Sequence, residues 1–304
     1  MTRSRTVGLF VVVTLVFGTA FPAVKTGLSD IPPLLFAAGR SYVAAAVLLV
    51  YVGATVEYRS PQSREDWQAV LAGGAFLIGG SGFAFVGQQF ITSGVAAVIF
   101  SLSPIVTALL AWALLPAERL VGRDYLGVVL GFLGVAILLR PDPASLLDPA
   151  VVGKALVLTG VSTVAFGAVL VRRSGSAMPV PALTAWSMVV GATIQGTFAF
   201  AVGESLASVR PTPLAVVSVV YLGLFAGAIG FVLYLTLMGE VGALKANLVT
   251  YLTPVVALVL GWLLLGERVE AVTLLGFAVI AAGFVLLESR ELAAELAKYR
   301  SLYR

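Results

Sequence analysis

Residues 94–115 read GVAAVIFSLSPIVTALLAWALL, and residues 244–265 read LKANLVTYLTPVVALVLGWLLL. Each run is apolar and long enough to cross a hydrocarbon core of about 30 Å as a helix rising about 1.5 Å per residue. Each carries a proline about halfway along, Pro104 and Pro254, and a tryptophan eight residues later, Trp112 and Trp262. Past the runs stand Glu118-Arg119 and Glu267-Arg268, with one extra residue before Glu118. Two glycines follow each glutamate at nine and sixteen residues, Gly127 and Gly134 in one case, Gly276 and Gly283 in the other.

The correspondence extends upstream. Gly79, Gly82 and Phe83 match Gly227, Gly230 and Phe231, and Pro33 matches Pro181 at nearly the same offset. A coincidence at one pair would carry no weight, but agreement over three segments marks an internal duplication. Ten apolar segments fall in the chain, at 7–27, 33–55, 67–90, 94–115, 123–140, 153–171, 181–202, 214–238, 244–265 and 271–288. The expected fold is therefore an all-α integral membrane protein of ten transmembrane helices. Its first five-helix repeat would occupy 1–140 and its second 141–289. Five is odd, so the second copy enters the membrane from the opposite side and the repeats are inverted, an arrangement typical of secondary transporters.

Composition agrees. Of 304 residues 60% are apolar and 11% charged, and mean hydropathy is +1.04; so few charges cannot cover a soluble globule of this size. With no cysteine and no histidine, disulfides, thiolate nucleophiles, Ser-His hydrolysis, His-bound haem and the commonest zinc sites are excluded. Gly80-Ser81-Gly82 superficially resembles a nucleophile motif, but without histidine it reads better as helix packing. No Walker motif is present, which removes ATP hydrolysis by this chain as a drive. No cofactor and no nucleic-acid partner are expected.

Lysine and arginine set the orientation. With the N-terminus inside, thirteen of the nineteen basic residues lie on the cytoplasmic side and five outside, with Arg40 in the bilayer. Both termini are expected in the cytoplasm of a multi-pass cell-membrane protein. Leu292, Leu296, Tyr299 and Tyr303 recur at helical spacing in the tail 290–304, which reads as an amphipathic helix on the inner leaflet. The first segment follows Arg3 and Arg5 like a signal peptide, but lacks a clean cleavage site and has a counterpart in the second half.

The five-span unit, with a proline-bearing fourth helix ending in Glu and a glycine-rich fifth, resembles the EamA-type family of the drug/metabolite transporter superfamily. Phe17-Gly18-Thr19-Ala20-Phe21 with Lys25 is similar to its first-helix signature, in which Trp more often stands at position 17. Arg40 after Pro32-Pro33 resembles its second helix. The resemblance implies a ten-helix basket around a central cavity and, commonly, export of amino acids or other small metabolites.

Candidate cavity residues follow from chemistry within the spans. Pro104 and Pro254 lack an amide hydrogen and release the carbonyls of Phe100 and Thr250, which in hydrocarbon need protein or cavity water. Ser101, Ser103, Asn247 and Thr253 stand nearby and can hydrogen-bond a solute. Arg40 is costly in a bilayer unless it faces an interior or a cavity. It and Lys25 either attract a substrate carboxylate, or Arg40 satisfies broken-helix carbonyls while Lys25 snorkels to headgroups. Gln88, Gln89 and Gln195 bind either solute or neighbouring helices. Phe17, Tyr234 and Tyr251 are candidates for an apolar wall, as are Phe21, Phe83, Trp112, Trp186, Tyr221 and Trp262. Glu118 and Glu267, just outside the apolar runs, are expected to position the following turn or pair with Arg. The glycines of the fifth and tenth segments permit close helix approach, either within the monomer or in a homodimer. No Asp or Glu lies deep in a span, so transport is expected to be facilitative or coupled without a buried carboxylate. A facilitative channel or a non-transporting receptor or scaffold is the alternative class.

Overall fold

The computed structural model describes residues 3–116, 118–120, 122–140 and 146–289. Among these residues every regular element is helical. Ten helical segments follow one another along the chain: α1 (Arg3–Gly27), α2 (Pro33–Thr55), α3 (Arg64–Gly87), α4 (Ser93–Leu114), α5 (Gly122–Leu139), α6 (Pro149–Ser174), α7 (Val180–Ala201), α8 (Pro213–Met238), α9 (Ala243–Leu265) and α10 (Ala271–Leu287). Eight of them are long and apolar enough to cross a membrane. Of the other two, α10 is apolar but has only 17 residues, and α7 carries Thr184, Ser187, Thr193 and Gln195 among its apolar positions. The expected amphipathic tail, 290–304, lies outside the described residues.

The boundaries have local causes. Proline stands in the first turn of α2, α6 and α8, where its missing N–H costs no bond. Asp148 and Thr212 cap α6 and α8 through the N–H groups of Ala150 and Ala215. At the start of α3, Ser63 and Asp66 form a capping box, so this helix begins three residues before the expected apolar run. It also ends earlier, leaving Gln88 and Gln89 in a turn. Gly175 (φ 70°) and Gly266 (φ 65°) terminate α6 and α9 in the left-handed region, which glycine enters at least cost.

Packing between the halves is reciprocal. The first helix of the chain, α1, packs on α8 and α9, while α6 packs on α3 and α4. Likewise α2 pairs with α7, and α5 with α10. A Cβ on Gly127 would stand 2.5 Å from the Gly283 carbonyl oxygen, and one on Gly134 would stand 2.7 Å from that of Gly276. The two glycine rows thus face each other inside one chain.

The matched segments carry matched irregularities. In α3 the stretch Gly73–Ile78 is π-helical and runs up to Gly79, three residues before Gly82; in α8 the π-helical stretch Leu222–Ile229 contains Gly227 and runs up to Gly230. The prolines behave differently. In α4 the helix breaks at Ser101 and Leu102, with Pro104 in the first turn of the second piece, whereas α9 runs unbroken through Pro254.

Candidate functional site

A cavity of about 620 Å³ lies between the halves. Phe17 and Phe21 of α1, Phe100, Ser103 and Pro104 of α4, Tyr234 of α8 and Thr250 and Thr253 of α9 wall it, with Arg40 of α2 at its deep end. The far end is lined by Glu118, Arg119 and Leu120 after α4, Arg172 near the end of α6 and Glu288 after α10. Behind Arg40 is a smaller chamber of about 180 Å³, lined by Ser81, Phe85, Gln88 and Leu222 among others. Arg40, Ala20, Phe21, Phe100 and Ala226 line both spaces. Phe21 and Phe100 meet edge-on there, with ring centroids 5.4 Å apart.

Local irregularity in α3 positions the floor. After the π-helical stretch, Gly79–Ser81 tightens into a 3-10 turn, and Ser81 Oγ accepts a bond from Arg40 Nη2 at 3.1 Å. The guanidinium lies 4.9 Å over the Phe85 ring, and its Nε has no partner. Among the described residues no carboxylate pairs with it. A guanidinium stays protonated at any physiological pH, so the deep end of the cavity holds an unneutralised positive charge. This departs from the expectation that Arg40 would satisfy broken-helix carbonyls; a hydroxyl and an aromatic face hold it instead.

Neither space is lined by Lys25 or Glu267, which tie helix ends together beyond Gln88. Lys25 Nζ donates to the carbonyls of Gln88, Gln89 and Ile91 at 2.9, 3.2 and 2.8 Å. Snorkelling of Lys25 is thereby corrected: the ammonium caps carbonyls left open where α3 ends. Beside it, Glu267 accepts from Ser93 N at 2.8 and 3.0 Å and from Ser93 Oγ at 2.6 Å, closing the N-terminus of α4. Glu204 does the same for α2, accepting from the N–H groups of Leu34 and Leu35 at 3.1 and 2.9 Å. Carboxylates suit such positions because the first amides of a helix lack partners and carry partial positive charge.

The expected residues divide by what their polar atoms already hold. Phe17, Arg40, Ser103, Pro104, Tyr234 and Thr253 come together around the cavity, and Phe17 tilts against Tyr234 with centroids 5.9 Å apart. Gln88 is buried in the small chamber and its Oε1 has no partner. Thr19 does not join the lining; its hydroxyl bonds the carbonyls of Leu15 and Val16 and the hydroxyl of Tyr221. Ser101 is buried and donates to Val98 O at 2.6 Å. Tyr251 stacks on Phe284 at 4.2 Å within a hydrophobic cluster, and Pro254 is buried behind Thr253. The side chain of Asn247 lies outside the described residues.

Phe100 and Thr250 had been singled out only for their carbonyls, yet both line the cavity. Arg119 and Arg172 at the open end, which are not among the expected cavity residues, line it as well. Glu118 pairs with Arg172 at 2.5 Å, as expected of it. At the same end of the bundle, Asp66 ties two connections together by accepting from Gln62 N, Ser63 N, Ser176 Oγ and the Tyr58 hydroxyl. That hydrogen bond to Asp66 raises the Tyr58 phenol above its ordinary pKa, with desolvation adding to it.

Two tandem helical units around a shared cavity have a counterpart among known proteins: the profile of the EamA-like transporter family matches residues 4–140 and again 151–289. The chain belongs to the EamA-like transporter family. Proteins similar to it include YoaV of Bacillus subtilis, described as an uncharacterized transporter, which is 26% identical over 90% of this chain and 93% of its own. YedA of Escherichia coli K12, an uncharacterized inner membrane transporter, is 28% identical over 90% of this chain and 87% of its own. A probable terminal-alkyne amino-acid exporter of Streptantibioticus cattleyicolor is 28% identical over 96% of both chains. A solved crystal structure shares the fold with a TM-score of 0.65, at 20% identity, over 94% of this chain and 98% of that one. An EamA-like chain is a multi-pass membrane protein and a transporter, and the apolar helices described above fit that role.

Proposed function

We propose that this chain is a secondary transporter that exports small metabolites, amino acids among them, across the cell membrane by alternating access. Its ten helical segments make ten crossings in two inverted five-helix repeats, with both termini in the cytoplasm. One observation carries the proposal: a cavity of about 620 Å³ that opens at one end of the bundle and stops short of the other, where Lys25 and Glu267 hold the helix ends together. A channel would need a continuous polar path. The open end carries Arg119 and Arg172, which the positive-inside rule assigns to the cytoplasm, so the cavity here faces the compartment from which an exporter loads.

Substrate class follows from the lining. Arg40 offers an uncompensated guanidinium, which a carboxylate neutralises through bidentate, charge-assisted bonds. Phe17, Phe21, Phe100 and Tyr234 provide aromatic surface for the rest of the solute. The probable terminal-alkyne amino-acid exporter among the similar proteins points the same way. No ATP-binding motif is present, so a solute or ion gradient supplies the drive.

The test is uptake into proteoliposomes of a panel of amino acids, sugars and lipophilic cations, with and without imposed gradients. Saturable flux of carboxylated solutes is expected, and Arg40→Ala should raise their KM about tenfold or more, the loss expected on removing a charge-assisted contact. Absence of saturable flux for every solute, or single-channel conductance steps, would contradict a carrier. Unchanged affinity in Arg40→Ala would remove Arg40 from the site.

A further inference from the structure

The two ends of the cavity are built from equivalent residues, but only one end is fastened. Glu267, which seals the N-terminus of α4 through Ser93, is the repeat partner of Glu118. By the spacing that pairs Pro104 with Pro254, Ser93 pairs with Ala243, the first residue of α9. Lys25, which binds the carbonyls at the end of α3, falls at the Pro33-to-Pro181 offset on Arg173, beside Arg172. At the open end neither bond is made among the described residues: Glu118 and Arg172 instead pair with each other at 2.5 Å, and both line the mouth.

From this we infer that Glu118 and the Arg172-Arg173 pair form the second of two reciprocal latches. When the mouth closes, Glu118 leaves Arg172 and caps the N-terminus of α9, and the freed arginines take the carbonyls at the end of α8. The Glu267 and Lys25 bonds release at the other end. The inference rests on the alternating-access proposal above and assigns residues to its two end states. A carboxylate moving from a partner cation to the N-terminal amides of a helix exchanges one charge-assisted contact for another.

The latches differ in strength, and the sequence shows how. Ser93 gives Glu267 a hydroxyl as well as an amide, whereas Ala243 has no hydroxyl to give. Gly261 leaves room at the fastened end, since a Cβ there would stand 2.7 Å from Ser93 Oγ and would also collide with Glu267. Its counterpart at the open end is Ala111, and the residue inserted before Glu118 supplies the reach to pass it. The second latch is therefore the weaker one, and the cavity rests open at the end where it is found open.

The chain has no cysteine, so Ala226→Cys, at the boundary of the two chambers, introduces a single reporter thiol. Its reaction with a membrane-impermeant maleimide is measured in right-side-out and inside-out vesicles, alongside solute flux. Glu267→Gln and Ser93→Ala should each raise the right-side-out labelling rate about tenfold, since each removes a charge-assisted bond. Ala243→Ser, which adds a hydroxyl to the weaker latch and removes nothing, should raise it too, and Glu118→Gln should lower it. Unchanged rates in all four variants, with the thiol still reactive from both sides and flux intact, would overturn the latch and leave the transport proposal standing. A thiol reactive from one side only in every variant, without flux, would overturn both.

Discussion

Arg40 and Asp66 show how the same property, a charge removed from water, serves different ends. Asp66 is buried but accepts four hydrogen bonds from two connections, so every lone pair that matters is used. Asp66→Asn places amide hydrogens against those donors and should lower the unfolding temperature in detergent, while Glu65→Gln one position earlier, on an exposed side chain, should leave it unchanged. Equal midpoints for the two variants would show that Asp66 does not tie the connections together. Arg40 has the opposite balance, with one hydroxyl and one ring face against a full charge. Arg40→Lys keeps the charge but loses the planar fork, so it should retain part of the carboxylate affinity that Arg40→Ala loses. If lysine and alanine behaved alike in the uptake assay, geometry rather than charge would be what the site requires.

At the scale of elements, the apolar runs made the helices legible because a bilayer leaves so few alternatives to helix. The repeat spacing likewise marked the glycine rows of α5 and α10. What the runs could not show was which hydroxyls were already engaged: Ser103 lines the cavity, while Ser101, two residues earlier, spends its hydrogen bond on Val98. Nor did they show that the two prolines differ, because a break in α4 depends on what packs around Ser101 and Leu102. Glu204 was missed as a cap on α2 because it comes from a distant connection, and no local spacing signals such a bond. Two substitutions test the helix contacts. Gly134→Val puts side-chain atoms onto the α10 backbone and should cost about 1–3 kcal/mol, read as a lowered thermal midpoint in detergent. Gly53→Ala, where nothing lies within 4 Å of an added Cβ, should instead gain about 0.5–1 kcal/mol by restricting the unfolded chain. Equal effects at the two sites would show that the α5–α10 approach is looser than described.

For the molecule as a whole, the reciprocal packing of α1 on α8 and α9 and of α6 on α3 and α4 places the cavity on the seam between halves, where a relative rotation would open one end as it closes the other. On the alternating-access proposal, two halves of equivalent sequence would have states of similar energy, and small differences such as Ser93 against Ala243 would then set the resting state. All of this depends on the halves running in opposite senses through the membrane. The most direct test labels two equivalent connections in intact cells with an impermeant thiol reagent: Ser60→Cys, between α2 and α3, and Ser208→Cys, between α7 and α8, both exposed. Inverted repeats predict that Ser208→Cys reacts from outside while Ser60→Cys reacts only after permeabilisation; reaction of both from the same side would contradict the inverted architecture.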